Sequence, residues 1–412
     1  MLKYSCTDRL IFISFFLSLL HYWPTSCCYI MAGPMLPMYF GLPDAHLFEL
    51  PPDSHPLPSS PASRSQLSWD RPINISPALF YHTLDVKLPL LIATLYALTV
   101  CTLNYINRKR RNRPWPLSRS PLFHQFVLIH NVGLVLFSAW LTLGTYQTIK
   151  STLMDQRNNP PLASAIHVLC KFDRKDELSY FLQRRVSESR SHLDLNDHRS
   201  EVVHPGVLEF DSLWDRGIDY YMWMFYMSKF YEIVDTMLLL VKGKKSSFLQ
   251  TYHHAGVMLC TWAGVRYVSP PGLIGLMLNS VIHTIMYLYY TLTTLKVSIP
   301  GFLKRILTGM QIAQFILGSI LAWSYIFISY DASIWPPLAS INNKREENRG
   351  NESRTNIFFH EDNSQLIPCL DNSGQVLALL LTTVYLIPLT FLFVRFFIRS
   401  YLSGSKRKLV KH

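Results

Sequence analysis

The chain has 412 residues, 49% of them hydrophobic and only 16% charged, with a formal net charge of +12. A basic balance of that size can mark a nucleic-acid binder. Here, however, the clusters "NRKRRNR" (107–113), "KGKK" (242–245) and "KRK" (406–408) abut the ends of apolar runs, the pattern of positive-inside topology, so a nucleic-acid role is set aside.

The apolar runs are close to the roughly twenty residues that carry an α-helix across about 30 Å of hydrocarbon, so the chain reads as an all-α polytopic membrane protein. The first run, "LIFISFFLSLL" (10–20), follows Lys3 and Arg9. A signal-peptide core, an extra span and a poorly ordered extension all stay open for it. Residues 32–80 are rich in Pro and Ser and are expected to form a flexible arm, so 1–86 reads as an N-terminal extension. Spans are predicted near 87–105, 122–149, 219–241, 248–268, 271–294, 305–329 and 376–399, about seven in all, within a membrane domain over 87–400. A basic tail, 401–412, follows.

Placing "NRKRRNR" in the cytosol puts "KGKK", "KVSIPGFLKR" (296–305) and the C-terminus there too. The loops at about 150–218 and 331–375 then fall on the other side. Both N-x-S/T sequons, at Asn74 and Asn351, lie on that lumenal side. So do Cys170 and Cys369, for which a disulfide and two free thiols are both open.

Ionisable and amide side chains inside spans are costly, so each is a functional candidate. In the third span "KFYEIVDT" sets Lys229, Glu232 and Asp235 with Thr236 roughly on one helix face, where a structural ion pair is the bland alternative. In the fourth, "QTYHH" does the same for Gln250, His253 and His254, with His253 only about 10 Å in from the cytosolic border at 1.5 Å per residue. In the fifth, "NSVIHTIMYLYY" lines up Asn279, His283, Met286 and Tyr290, flanked by Tyr287 and Tyr289, where a polar helix–helix seam is the alternative. In the sixth, "KRILTGMQIAQ" aligns Lys304, Thr308 and Gln311, with Gln314 a turn on; Lys304 can equally be a snorkelling anchor. Four consecutive polar stripes describe a polar chamber open to the cytosol and surrounded by apolar helix surface. Its natural ligand has a charged head and a long apolar tail.

These four motifs match in type, order and spacing those of the ELO-type very-long-chain fatty acid elongases, over roughly 87–330 and the last span. The family's histidine box is most often HxxHH; with Gln250 in its first position, the chain resembles the QxxHH branch. The resemblance implies a bundle of six or so helices around an acyl tunnel open to the cytosol. It also implies the condensing step of elongation, in which a 3-oxoacyl-CoA synthase joins acyl-CoA and malonyl-CoA and releases CO2 and CoA. In that reading His253 is the nucleophile forming an acyl-imidazole. His283, with Asn279 or His254, stabilises the developing oxyanions. Asp235 or Glu232 orients a histidine. Lys229, Lys242, Lys244 and Lys304 meet the CoA head, with Gln250, Tyr289, Thr308 and Gln311 as polar substrate contacts. No tightly bound cofactor and no metal are implied; the substrates are malonyl-CoA and acyl-CoA.

The implied setting is the endoplasmic reticulum membrane, multi-pass, with the C-terminus cytosolic. Partners are the lipid bilayer and the reductases and dehydratase of the elongation cycle. Oligomeric state stays open, a homodimer being the candidate. HxxHH boxes also occur in di-iron desaturases and hydroxylases, which need further histidine boxes absent here. A lipid or ion transporter and a catalytically silent relative are the remaining alternatives.

Overall fold

The computed structural model describes residues 38–52, 57–61, 71–155, 161–171, 213–331, 366–370 and 372–402. The apolar run at 10–20, the Asn351 sequon, most of both long loops and the basic tail from 403 lie outside them.

Ten helices carry the described chain: α1 (Pro77–Thr83), α2 (Lys87–Lys109), α3 (Pro121–Asp155), α4 (Pro161–Cys170), α5 (Asp219–Tyr231), α6 (Ile233–Val241), α7 (Phe248–Arg266), α8 (Pro271–Thr294), α9 (Gly301–Ser324) and α10 (Ser373–Phe397). The protein is an all-α polytopic membrane protein. By length and composition five helices can cross a bilayer, namely α2, α3, α8, α9 and α10 with its extension to Leu402. The other two expected spans are helical but are not among these five. The third is interrupted at one residue, Glu232, whose backbone stays in the right-handed helical region (φ −60°, ψ −13°), so α5 and α6 follow on from one another over 219–241. The fourth, α7, has 19 residues, but its first two turns are diluted by Gln250, Thr251, His253 and His254.

Neighbour packing runs α3–α5–α7–α10–α9–α8 and back to α3, closing a ring of six helices, with α2 laid outside against α6 and α7. Helix α5, "DYYMWMFYMSKFY", is aromatic nearly all round and is correspondingly buried. Its Tyr220, Tyr221, Trp223 and Tyr226 build the largest core cluster with Trp214, Phe80 and Leu84. Outward aliphatic side chains such as Leu95, Leu136 and Ile320 stay exposed, as lipid-facing positions require.

The two ends of the bundle differ. At the basic end, the segments "NRKRRNR" and "KGKK" are tied together. Asn107 donates to the Leu240 carbonyl (2.8 Å), the Trp115 N–H to the Val241 carbonyl (3.1 Å) and Asn104 to the Ser246 carbonyl (3.2 Å). Gly243 sits at φ +72°, and a Cβ there would press on the Asn112 and Arg113 backbone. Both facts demand glycine at this crossing.

At the opposite end a disulfide joins Cys170 to Cys369 across 199 residues. Beside it, strand β1 (Ile328–Asp331) pairs antiparallel with β2 (Leu366–Pro368), Tyr330 opposite Ile367. Removing both cysteines as serines is expected to lower stability by about 2–5 kcal/mol, the usual range for a native bridge. Thermal unfolding of purified protein with and without reductant checks this, and an unchanged midpoint would contradict it.

The described stretches of the N-terminal arm pack against the bundle. A 3-10 turn at Ala45–Phe48 buries Leu47 (3% exposed), and Ile75 and Phe80 are buried as well. The Trp223 indole donates to the Thr83 hydroxyl (2.9 Å), the Tyr226 hydroxyl to the Thr83 carbonyl (3.0 Å) and Trp262 to the Leu84 carbonyl (2.8 Å). Among the prolines stand enough apolar side chains to repay ordering these stretches.

Candidate active site

A cavity of about 150 Å³ lies inside the ring, walled by α5, α7, α8, α9 and α10. Of its polar residues, His253, Asn279, Gln314 and Tyr385 stand toward the basic end, and Thr261, Thr382 and Ser269 lie further along. From the basic end it runs toward the disulfide end between small side chains, among them Gly264, Gly272, Gly275, Gly318 and Ala378. Along α7 the wall extends from His253 to Val265, about 18 Å at 1.5 Å per residue. A slot of that shape, polar at one end and narrow beyond, suits an alkyl chain.

His253 is held by Tyr385 of α10. Its Nδ1 lies 2.6 Å from the Tyr385 hydroxyl, which also donates to the His253 carbonyl (3.3 Å). With the tyrosine proton on that carbonyl, Nδ1–H donates to the tyrosine oxygen, and Nε2 keeps a lone pair for the cavity that His253 lines. Gly256, one turn on, is what lets the Tyr385 ring lie flat against α7, because a Cβ there would collide with the ring. His254 points elsewhere: buried (6% exposed), edge-on to Tyr96 of α2, its Nδ1 without a hydrogen bond.

Lys229, Glu232, Asn279 and His283 form one network. Lys229 Nζ donates to Glu232 Oε1 (2.7 Å) and Asn279 Oδ1 (3.0 Å). Asn279 Nδ2 lies 3.3 Å from His283 Nε2, and His283 Nδ1 lies 3.7 Å from Glu232 Oε1. The break between α5 and α6 falls at Glu232 itself. Lys229, expected among the contacts of the CoA head, is thus in the interior at 1% exposure.

Asp235 belongs to a second network. Its Oδ1 lies 2.8 Å from His130 Nε2, its Oδ2 accepts from the Tyr287 hydroxyl (2.6 Å), and His130 Nδ1 lies 3.1 Å from the Tyr231 hydroxyl. Tyr287 in turn packs edge-on to His283, centroids 5.6 Å apart. One carboxylate therefore locks α3, α6 and α8. Replacing Asp235 by Ala orphans two buried partners, and unfolding in detergent is expected to become easier by about 1–3 kcal/mol for each. A shift equal to that of an exposed control such as Asp85→Ala would refute the assignment.

Gln250 is bonded away from the histidine pair. Its amide donates to the Thr236 hydroxyl (3.1 Å), which also meets the Tyr96 hydroxyl (2.9 Å), so it ties α7 to α6 and α2.

The remaining expected contacts are placed toward the basic end. Lys242, Lys244 and Lys304 are exposed, and Tyr289 is half-buried. Partial burial, and then the neighbouring Lys244 charge, hold Lys242 below the usual lysine pKa. Thr308 is buried, its hydroxyl donating to the Lys304 carbonyl (3.1 Å) and lying 3.2 Å from the Tyr401 hydroxyl. Gln311 reaches the Met286 sulfur (3.4 Å).

The family model described as ELO, GNS1/SUR4 family, matches residues 81–409. The chain belongs to the ELO family. Among curated relatives it is 38% identical to long chain fatty acid elongase 1 of Caenorhabditis elegans over 98 residues, 24% of this chain and 34% of that protein. It is 37% identical to fatty acid elongase sre1 of Dictyostelium discoideum over 119 residues, 28% and 42% of the two chains. It is 32% identical to very long chain fatty acid elongase 3 of Mus musculus over 106 residues, 26% and 39%. The aligned stretches thus span about a third to two fifths of these relatives. No solved structure matches the chain.

Within this ELO chain, sequence reasoning missed Tyr385 and His130 and left Gln314 without a role. Gln314 is 6% exposed and lines the cavity with its Oε1 unpartnered. The signal for all three was a polar residue inside an apolar span, as in "TTVYLIP", "LIHNVG" and "MQIAQF".

Proposed function

We propose that this protein is the condensing enzyme of fatty acid elongation, a 3-oxoacyl-CoA synthase using long-chain acyl-CoA and malonyl-CoA. The observation that carries the reading is His253 at the polar end of an apolar slot, its Nδ1 engaged by Tyr385 and its Nε2 free. The Nε2 lone pair attacks the thioester carbonyl, CoA leaves as the thiol with the Nδ1 proton, and a neutral acyl-imidazole remains. Malonyl-CoA then loses CO2, its enolate carbon attacks the acyl carbon, and the imidazole departs as leaving group, taking up one proton. The product is a 3-oxoacyl-CoA two carbons longer.

Asn279 and Gln314 supply amide donors beside the slot for the oxygens on which charge develops, with His283 behind Asn279. Glu232 and Asp235 act as positioning residues through His283 and Tyr287. His254 packs between α7 and α2 at the rear of the site. At the basic end, the eight cations Arg108, Lys109, Arg110, Arg111, Arg113, Lys242, Lys244 and Lys245 stand on two segments tied together, which suits the phosphates of CoA. Lys304, Thr308, Gln311 and Tyr289 line the approach.

In this reading the basic end faces the cytosol, as the positive-inside pattern requires. The disulfide end faces an oxidising lumen, that of the endoplasmic reticulum. The C-terminus is cytosolic, and reductases and a dehydratase in the same membrane complete the cycle. Gln250, bonded to Thr236 rather than to a histidine, is compatible with full activity, as in the QxxHH branch.

The test uses membranes containing the protein, radiolabelled malonyl-CoA and a panel of acyl-CoAs, without NADPH. Labelled 3-oxoacyl product is expected. Acyl-CoA consumed only with oxygen and a reductant would instead mark a di-iron oxygenase, and movement without chemical change a transporter.

A further inference from the structure

The disulfide end of the slot is backed by a part of the chain that lies before the ELO family match. Ala322 of α9 and Leu379 of α10 line the cavity near the disulfide end. Both also belong to the cluster around Leu47, in which Leu47, Ile326, Leu370, Val376 and Leu379 are buried and Ala322 and Trp323 pack against them. Leu47 is 3% exposed, on the 3-10 turn Ala45–Phe48, and that turn packs on α10. The segment is pinned by the Gly41 N–H donating to the Phe327 carbonyl (3.0 Å) and by the Glu49 N–H closing the turn on the His46 carbonyl (3.2 Å). The family match begins only at residue 81.

We propose that residues 41–48 are the end-stop of the acyl slot, with Leu47 the side chain that sets the longest acyl tail accepted. The cavity wall includes the small side chains Ala322, Ala378 and Gly318, together with Leu379. Leu47 belongs to the cluster that joins Ala322 and Leu379 to Leu370, the neighbour of the disulfide cysteine Cys369. The ligand class is a saturated or unsaturated long acyl chain entering tail first. A tail that reaches Ala322 and Leu379 meets a wall that yields only if Leu47 yields. Truncating Leu47 leaves room on the far side of Leu379, into which that side chain can turn, and the slot lengthens.

This inference rests on the elongation reading, so its test carries a readout that does not need turnover. Purified full-length protein in nanodiscs is titrated with saturated acyl-CoAs rising in two-carbon steps, and thermal stabilisation is recorded for each. Wild type is expected to gain stabilisation with each step up to a ceiling and to lose it beyond. Leu47→Ala should raise the ceiling by at least one two-carbon step, and the longest 3-oxoacyl product should rise with it. If the Ala variant does not fold, Leu47→Val gives the same direction with a smaller change. A folded Leu47 variant with the wild-type ceiling in both readouts overturns the end-stop. Wild type that binds the ladder with a ceiling yet forms no product overturns the elongation reading and leaves the end-stop standing.

Discussion

Membranes carrying His253→Ala are expected to form 3-oxoacyl product at least about a hundredfold more slowly than wild type, since loss of a nucleophile removes the covalent route itself. The imidazole is the polar-end group whose partner geometry leaves one nitrogen free: Tyr385 occupies Nδ1 at 2.6 Å. Tyr385→Phe keeps the ring against Gly256 and removes only the hydroxyl, so roughly a tenfold loss is expected, within the range for one mispositioned catalytic group. Gly256→Ala should resemble Tyr385→Phe, because it pushes the ring away rather than changing the chemistry. The assay is the labelled-malonyl one, with protein level checked by immunoblot. Full activity in His253→Ala would move the nucleophile elsewhere.

The second large effect is on stability. Glu232→Gln leaves the Lys229 charge buried at 1% exposure with a neutral amide, Asn279 and the Phe225 ring beside it and no anion in contact. Breaking a buried pair from one side costs about 3–5 kcal/mol, mostly the desolvation of the abandoned ion. Lys229→Met should cost less than Glu232→Gln, because Ser228 donates to Glu232 Oε1 (3.2 Å) and still helps hold the carboxylate. The double variant Lys229→Met with Glu232→Gln should recover much of the loss, since no bare charge remains. Melting of the three variants in detergent decides it. A double variant as unstable as the sum of the singles would show that the two residues act independently.

The membrane helices were legible because twenty-residue apolar runs with basic flanks leave few alternatives. The division at Glu232 was not legible, since "KFYEIVDTMLLLV" carries neither Gly nor Pro and its periodicity is continuous across the break. Spacing did reveal that Lys229 and Glu232 share a face, and it placed Asn279 and His283 on one stripe of α8. What it could not show is which stripes meet. Lys229 joins Asn279 across 50 residues and His253 joins Tyr385 across 132, contacts that depend on how the ring closes. His130 went unread because its partners, Asp235 and Tyr231, lie more than a hundred residues away. The order in 41–48 was hidden by prolines, and only its packing on α10 distinguishes Leu47 from any other apolar residue in a Pro-rich arm.

The most direct measurement is the intact mass of purified protein incubated with a long-chain acyl-CoA and no malonyl-CoA. The account predicts a mass increment of one acyl group, mapped by proteolysis to His253 and discharged on adding malonyl-CoA, with 3-oxoacyl-CoA and CO2 appearing together. Protein that stays unmodified while still making 3-oxoacyl-CoA once malonyl-CoA is supplied would contradict it.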